Sequence, residues 1–452
     1  MLQLTNRRLT LAAIALSFFG ALPASAQIIN EDIKITASDA ADDDWFGRPI
    51  AISGATAIVG AFRDDDTGSD SGSAYVFNTT TGQQLFKLTA SDAEQFDNFG
   101  HSVAVSGALA IIGSPHDNDA GLVSGSAYLF DTTTGKQLFK LTASDAAQGD
   151  EFGFSVGISG TTVIIGARGD SDMGQLAGSA YLFDTETGLQ IAKLTASDAA
   201  QLDEFGWSVA ISGATAIVGA RHDNDAGFRS GSAYLFNTVT GDQIAKLTAS
   251  DAAENNWFGY SVAITGSTAI VGAPAEGSFS GSAYLFDTTS NQQIFKLTAS
   301  DAAVSDQLGT CVAISGSTAI VGAQHDDDAG SASGSAYLFD TTTGQQSVKL
   351  IASDASQGDQ FGRSVAISGT NAIVGAWLDD DAGADSGSVY VFGTPTPCLA
   401  DLTGDGTLDF FDVSLFLTYL ETSNPIADFN GDGLINFFDV STFLIEFTAG
   451  CP

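Results

Sequence analysis

Two twelve-residue stretches near the end of the chain carry oxygen donors at alternate positions. The first sets Asp401, Thr403, Asp405, Gly406, Thr407, Asp409 and Asp412 at positions 1, 3, 5, 6, 7, 9 and 12. The second, 27 residues on, sets Asp428, Asn430, Asp432, Gly433, Leu434, Asn436 and Asp439 at the same places. That spacing surrounds a hard cation: side chains at 1, 3 and 5, a glycine for the sharp turn, a backbone carbonyl at 7, position 9 through water, and a carboxylate at 12. Two such loops in tandem point to Ca2+. A shorter acidic pattern, Asp-x-Asp-x-Gly, recurs six times, through Asp64 and Asp66, Asp117 and Asp119, Asp170 and Asp172, Asp223 and Asp225, Asp326 and Asp328, and Asp379 and Asp381. It can fold oxygens weakly round calcium, or it can be solvated turn chemistry, since Asp caps turns well. His116, His222 and His325 precede three of these pairs, but no repeat adds the second His or Cys that zinc requires. No Ser, His and Asp spacing suggests a nucleophile, so the chain reads as a non-enzyme.

The elements that carry these aspartates come from a repeat. Phe-Gly begins at Phe46, Phe99, Phe152, Phe205, Phe258 and Phe361, with Leu308-Gly309 as the sixth of seven copies, at spacings of 53, 53, 53, 53, 50 and 53. Each copy runs Lys-Leu-Thr-Ala-Ser-Asp, Phe-Gly-x-Ser-Val-Ala-Ile-Ser-Gly, Thr-Ala-Ile-Val-Gly-Ala, an Asp-rich loop, then Gly-Ser-Ala-Tyr-Leu-Phe. Four short β-branched or aromatic runs per copy, parted by Gly, Asp, Ser and Thr turns, predict four strands. The fold class is therefore all-β, a seven-bladed β-propeller over residues 27–393. Its ends favour a closed ring over a solenoid: Ile33-Lys34-Ile35-Thr36 lacks a preceding strand and Val389-Tyr390-Val391-Phe392 lacks a following one, so pairing them completes the last blade. Small residues after Phe-Gly suit the strand nearest the axis. Lysines such as Lys87, Lys140 and Lys193 fall in the outermost strand, where lysine blunts exposed sheet edges. Strand alternation sends both acidic loops to one face, while Ser-Gly and Thr-Thr-Gly turns on the other read as neutral. Near-identity of the copies argues against an enzyme site, which would gather unique His, Glu or Arg residues; Arg168, Arg221, Arg229 and Arg363 read as scattered.

These residues resemble the FG-GAP repeats of integrin α-subunit propellers, Phe258-Gly259 with Gly272-Ala273-Pro274 matching the name literally. Calcium-binding integrin repeats carry an Asp-rich loop between the two halves of the motif. This chain has Ser-Gly-Ala-Thr there, as at Ser212 to Thr215, so those family sites do not carry over.

Composition sets the limits. The 452 residues carry 54 acidic and 16 basic side chains, a formal charge of -38. That balance excludes nucleic-acid and anionic-membrane partners. Residues 1–26 hold Arg7 and Arg8, an apolar run from Leu9 to Leu22, and Pro23-Ala24-Ser25-Ala26, the pattern of a cleaved signal peptide. The apolar run is too short to span a bilayer, and no later segment reads as a membrane span. Export to a secreted or cell-surface location follows, where Cys398 and Cys451 can form a disulfide round the terminal module while Cys311 stays a buried spectator.

After the linker 394–397, residues 398–452 hold the two twelve-residue loops, each with an EF-hand-like start to a helix. Asp at position 12, the twin repeat and the bracketing Cys398 and Gly450-Cys451 resemble a cysteine-bounded, type I dockerin module. The resemblance implies that calcium folds the module and that one helix docks onto a cohesin or envelope partner. Positions 10 and 11, partner-reading in dockerins, are Phe410-Phe411 and Phe437-Phe438 here, where most members carry small hydroxyl residues. Those phenylalanines, with Leu415, Phe416, Phe443 and Leu444, can instead form the module's core. The whole reads as a secreted, calcium-binding recognition or scaffold protein, its acidic propeller face meeting a protein or glycan. A polysaccharide-acting hydrolase or lyase and a purely structural surface protein are the alternatives.

Overall fold

The computed structural model describes residues 27–393 and, in the terminal segment, 400, 402–403, 408–422, 424–429 and 433–449. Residues 1–26, expected to be a signal peptide, the linker 394–397, Cys398, Cys451 and the loop residues Asp401, Asp405, Thr407, Asn430 and Asp432 lie outside the described residues. Two compact units divide the chain between residues 396 and 397.

The first unit opens with two short strands, β1 (Gln27–Ile29) and β2 (Ile33–Ile35). The first blade follows as β3 (Ile50–Ser53), β4 (Thr56–Ala61), β5 (Ser73–Asn78) and β6 (Gln83–Leu88), antiparallel and in chain order. Six further sheets repeat this plan. The first strands of neighbouring blades touch in a cycle that returns from Ser364–Ser368 to β3, so they form the inner ring. Closure occurs as expected: β2 pairs antiparallel with Ser388–Gly393, Ile33 opposite Val391 and Ile35 opposite Val389. An unforeseen addition is β1, which runs parallel to Gln346–Leu350 and gives the sixth blade a fifth strand.

The four central residues of a blade's third strand, Ala-Tyr-Val-Phe in β5, are all apolar or aromatic because the strand is buried on both faces. In β5, Tyr75 and Phe77 join a core with Ile373, Val389 and Val391 of the last blade. Ala74 and Val76 join a different core with Phe99, Ile112 and Tyr128 of the second blade. One strand thus feeds two inter-blade cores, and each fully buried large side chain contributes about 1.5–3 kcal/mol. The Phe of each Phe-Gly pair, and Leu308, is fully buried between blades. Phe46 meets Tyr75 and Phe77 edge-on at 5.6 and 5.8 Å. Glycine lets the blades interlock: Gly72 holds φ at +83°, and a Cβ there would stand 2.0 Å from the carbonyl oxygen of Phe99.

The three-residue deletion in the fifth blade replaces the Asp-rich loop with a tight turn, α1 (Glu276–Phe279), in which Gly277 and Ser278 take left-handed backbone angles.

In the terminal unit, α2 (Phe410–Glu421) starts at Asp409, whose side chain accepts from Phe411 N–H while Asp412 accepts from Asp409 N–H. This reciprocal cap fixes the helix start. A second helix, α3 (Phe437–Ala449), brings Phe443 onto Phe416, stacked at 4.0 Å, with Phe429 edge-on to both.

Candidate functional site

Each Asp-x-Asp pair meets a third acid from the loop that enters its blade. In the first blade, Asp64 and Asp66 converge with Asp39, and Lys87 Nζ donates to all three at 2.8, 2.5 and 2.8 Å. The Tyr75 hydroxyl donates to Asp64 at 2.7 Å. Lys140 repeats the arrangement with Asp92, Asp117 and Asp119, Lys193 with Asp145, Asp170 and Asp172, Lys246 with Asp198, Asp223 and Asp225, and Lys349 with Asp301, Asp326 and Asp328. In the last blade Lys34 of β2 meets Asp354, Asp379 and Asp381, so the closing strand brings its own cation. The fifth blade keeps a reduced version, Lys296 with Asp251 and Glu276.

Lysine therefore does not guard a bare edge, as its strand position suggests. Its stem runs along the blade and its ammonium turns inward. Carboxylate oxygens in these triads lie within 4.8 Å of one another, close enough to hold a metal ion, and the ammonium already bonds to all of them. Burial alone would lower the Lys87 pKa, yet the hydrogen bonds it donates to Asp39, Asp64 and Asp66 hold it above its ordinary range. A second acid in the same loops behaves oppositely. Burial pushes Asp44, Asp97, Asp150, Asp203 and Asp359 up to about 6, against a single backbone N–H donated by the residue three earlier.

At the axis, on the face that carries these loops, lies a cavity of about 520 Å³. The residue after Phe-Gly points into it from every blade: Arg48, His101, Phe154, Trp207, Tyr260, Thr310 and Arg363. The next residue fixes that placement, because Ser102, Ser155, Ser208, Ser261 and Ser364 each donate to a glycine carbonyl of the following blade. The residues before Phe-Gly and after Gly-Ala pair around the mouth: Arg168 with Glu151 at 2.5 Å, Arg221 with Glu204 at 2.8 Å, Gln324 with Gln307 at 2.7 Å and Trp377 with Gln360 at 3.1 Å. Neighbouring rings touch in series, Phe62 to His101, His101 to Phe154, Phe154 to Trp207 and Trp207 to Tyr260, with centroids 4.8–5.5 Å apart. All four tryptophans of the chain belong to this necklace or its rim. Arg48 stands between the rings of Trp45, Phe62 and Trp377. Among the described residues neither Arg48 nor Arg363 forms a salt bridge. Burial and the nearby Arg363 push Arg48 down to about 9, still charged at neutral pH. Burial and Arg48 push His101 down to about 3, so its ring is neutral. Arg168, Arg221 and Arg363 are thus gathered rather than scattered, which removes the main ground for expecting no special site.

A family model described as FG-GAP repeat matches residues 29–77, 83–130, 136–183, 189–236, 242–286, 292–339 and 345–392. From the second onward, each match opens in the outermost strand of one blade and closes in the third strand of the next. The chain belongs to the FG-GAP repeat family. A comparison with curated proteins finds no match.

The FG-GAP propeller's two faces differ less in acid than alternation of turns alone implies. Asp131, Asp184, Asp287 and Asp340 lie on the far face, each accepting backbone N–H groups of its own turn, as Thr133 N–H donates to Asp131 at 2.8 Å. Cys311, expected to be buried, is a half-buried free thiol of the inner strand at the cavity wall, donating to the Val365 carbonyl at 3.7 Å, and burial raises its pKa.

In the terminal unit the described loop residues curl as cation ligands must. Thr403 Oγ1 donates to Asp412 at 2.9 Å, joining positions 3 and 12, and Gly433 N–H donates to Asp428 at 2.8 Å, joining positions 6 and 1. Asn436 N–H donates to Asp439 at 2.7 Å, joining positions 9 and 12. Asp412 and Asp439 are fully buried. Against the effect of burial, the N–H groups of Asp409 and Thr403 hold Asp412 below its ordinary carboxyl pKa. The donor set fits a hard oxygen-seeking ion, with Leu434 supplying only a backbone carbonyl. Phe410, Phe411, Phe437 and Phe438 are 66–77% exposed, so they do not build the core, which is made by Phe416 and Phe443; Leu444 is also exposed.

Proposed function

We propose that this FG-GAP propeller is an exported, non-catalytic recognition protein, binding a protein or glycan ligand at the axial cavity and tethered through its terminal unit. One observation carries the reading: the residue after Phe-Gly, set between near-invariant Gly and Ser, is Arg, His, Phe, Trp, Tyr, Thr and Arg in successive blades, and all seven converge on the cavity. A scaffold role alone would place no such demand on them. For the tail we propose that calcium, held by the two twelve-residue loops, orders α2 and α3, and that the exposed Phe410, Phe411, Phe437 and Phe438 meet a cohesin-like or envelope partner. Among the described residues no helix is long and apolar enough to cross a membrane. Glycan and protein arrays probed with the full chain, with and without EDTA, test the reading. Binding that persists after the cavity arginines are replaced refutes it. The gathering of Arg, His and Glu residues also favours the polysaccharide-acting enzyme as second reading, which turnover on a polysaccharide panel decides. Against catalysis stand the arginine partners of Glu151 and Glu204, which leave neither carboxylate free as a base.

A further inference from the structure

The axial cavity is polarised. Arg48 and Arg363 come from the first and last blades, which adjoin where the ring closes. Phe154, Trp207 and Tyr260 come from the third to fifth blades, across the axis. Beside the arginine pole, His101 Nδ1 is buried with no hydrogen-bond partner. Two guanidinium groups without carboxylate partners present planar donor forks, which match a carboxylate through paired hydrogen bonds. Opposite them, the aromatic wall suits the C–H faces of a ring on the sides that Arg168, over Phe154, and Arg221, over Trp207, leave open. A volume of about 520 Å³ falls in the range of small-molecule sites.

The rim narrows the choice further. In six blades the cluster sets three carboxylates against one ammonium, and in the fifth two, so the face around the mouth is negative. A densely anionic polymer is repelled there, whereas one carboxylate on a compact ring reaches the arginines. An acidic peptide side chain satisfies the arginines but leaves the aromatic wall bare.

We propose that the axial cavity binds a uronic acid, Arg48 and Arg363 holding its carboxylate while Phe154, Trp207 and Tyr260 line its ring. This rests on the recognition reading above and names its ligand class. The test is tryptophan fluorescence of the full chain titrated with galacturonic acid and glucuronic acid, against glucose, the methyl ester of galacturonic acid and a glutamate-containing peptide. Saturable binding of a uronic acid, at least tenfold tighter than the ester, glucose or the peptide, is expected. Arg48→Gln and Arg363→Gln should each weaken it at least tenfold, while Arg229→Gln on an exposed loop leaves it unchanged. Equal binding of acid and ester, preference for the peptide, or no saturation with either acid overturns the proposal without needing any variant to fold. If the acids fail but an array ligand is bound and then lost in Arg48→Gln, the ligand class falls and the recognition reading stands. If the acids bind while the arrays stay blank, both readings stand, with the free acid as the ligand.

Discussion

Replacing Lys87 with methionine removes one ammonium and leaves Asp39, Asp64 and Asp66 facing one another. Asp64 is the costly one, with a side chain only 4% exposed, whereas Asp39 and Asp66 are 35% and 63% exposed. Breaking a fully buried pair costs about 3–5 kcal/mol and a surface pair about 0–1 kcal/mol. With one partner buried and two in contact with water, the loss should be about 2 kcal/mol. In a propeller of this size that lowers the melting temperature by about 3 °C. The vacated triad then has what a hard cation needs. A site with Kd of about 0.1 mM, typical of weak extracellular modules, returns about 1.4 kcal/mol at about 1 mM free calcium. Thermal unfolding followed at a strand signal, in EDTA and in calcium, should therefore show Lys87→Met destabilised and about two-thirds restored by calcium, with the parent unmoved. A variant within about 1 °C of the parent in EDTA, or a parent that gains as much from calcium, would refute the view that lysine occupies the cation's place.

Stability should peak in mildly acidic solution. Asp44, Asp97, Asp150, Asp203 and Asp359 have folded pKa values raised to about 6 from 3.8, so folding binds their protons more tightly and stability falls as pH climbs through that window. Asp39, Asp117, Asp170, Asp198, Asp251, Asp301 and Asp354 are shifted below 3.8 against the effect of burial, through their lysine and tyrosine hydrogen bonds and, for Asp117 and Asp170, a backbone N–H. Their contribution is full at neutral pH and is lost as pH drops through those lowered values, so a melting temperature that rises steadily from pH 4 to 8 contradicts the assignment. Ile35→Asp places a charge in the core that joins the first and last blades, where Ile35 is 2% exposed. It should cost about 3 kcal/mol or more and expose the last blade to proteolysis before the others. EDTA should reduce the helical circular dichroism of the full chain while leaving its strand signal and melting unchanged; an unaltered helical signal removes calcium from the terminal unit.

The propeller was legible because its information is periodic. Phe46 and its six counterparts recur at spacings that fix the blade, and the unpaired Ile33-Lys34-Ile35 and Val389-Tyr390-Val391 segments announce how the ring closes. The aspartate pairs were legible as pairs, but their third member and their lysine come from segments about 20 to 48 residues away, and in the last blade the lysine, Lys34, comes from the other end of the repeat array. The axial cavity was hidden for the opposite reason. Arg48, His101, Trp207 and Arg363 each look like a lone departure in one copy, and a search for sameness discards them. Reading down the repeat at the residue after Phe-Gly recovers them, since a position nearest the axis brings its variants together whatever their distance along the chain. Strand β1 gave no signal at all, three residues being too few for a period.

The two cations are allotted by shape, which makes one exchange informative. Seven lysines sit in the blade clusters, while Arg48, Arg168 and Arg363 line the cavity and Arg221 stacks on its Trp207. A lysine ammonium is a compact charge that donates in three directions, and three carboxylates converge on it from two loops. A guanidinium is flat and donates in its plane, so it pairs one carboxylate well and stacks on rings, as Arg221 does over Trp207 while bonded to Glu204. Lys87→Arg keeps the charge yet cannot reach Asp39, Asp64 and Asp66 together. It should recover less than half of the stability lost in Lys87→Met and, by blocking the triad, should gain nothing from calcium. Melting curves of the two variants side by side decide the point: full rescue by arginine would mean that net charge alone, and not the three-way geometry, holds these loops.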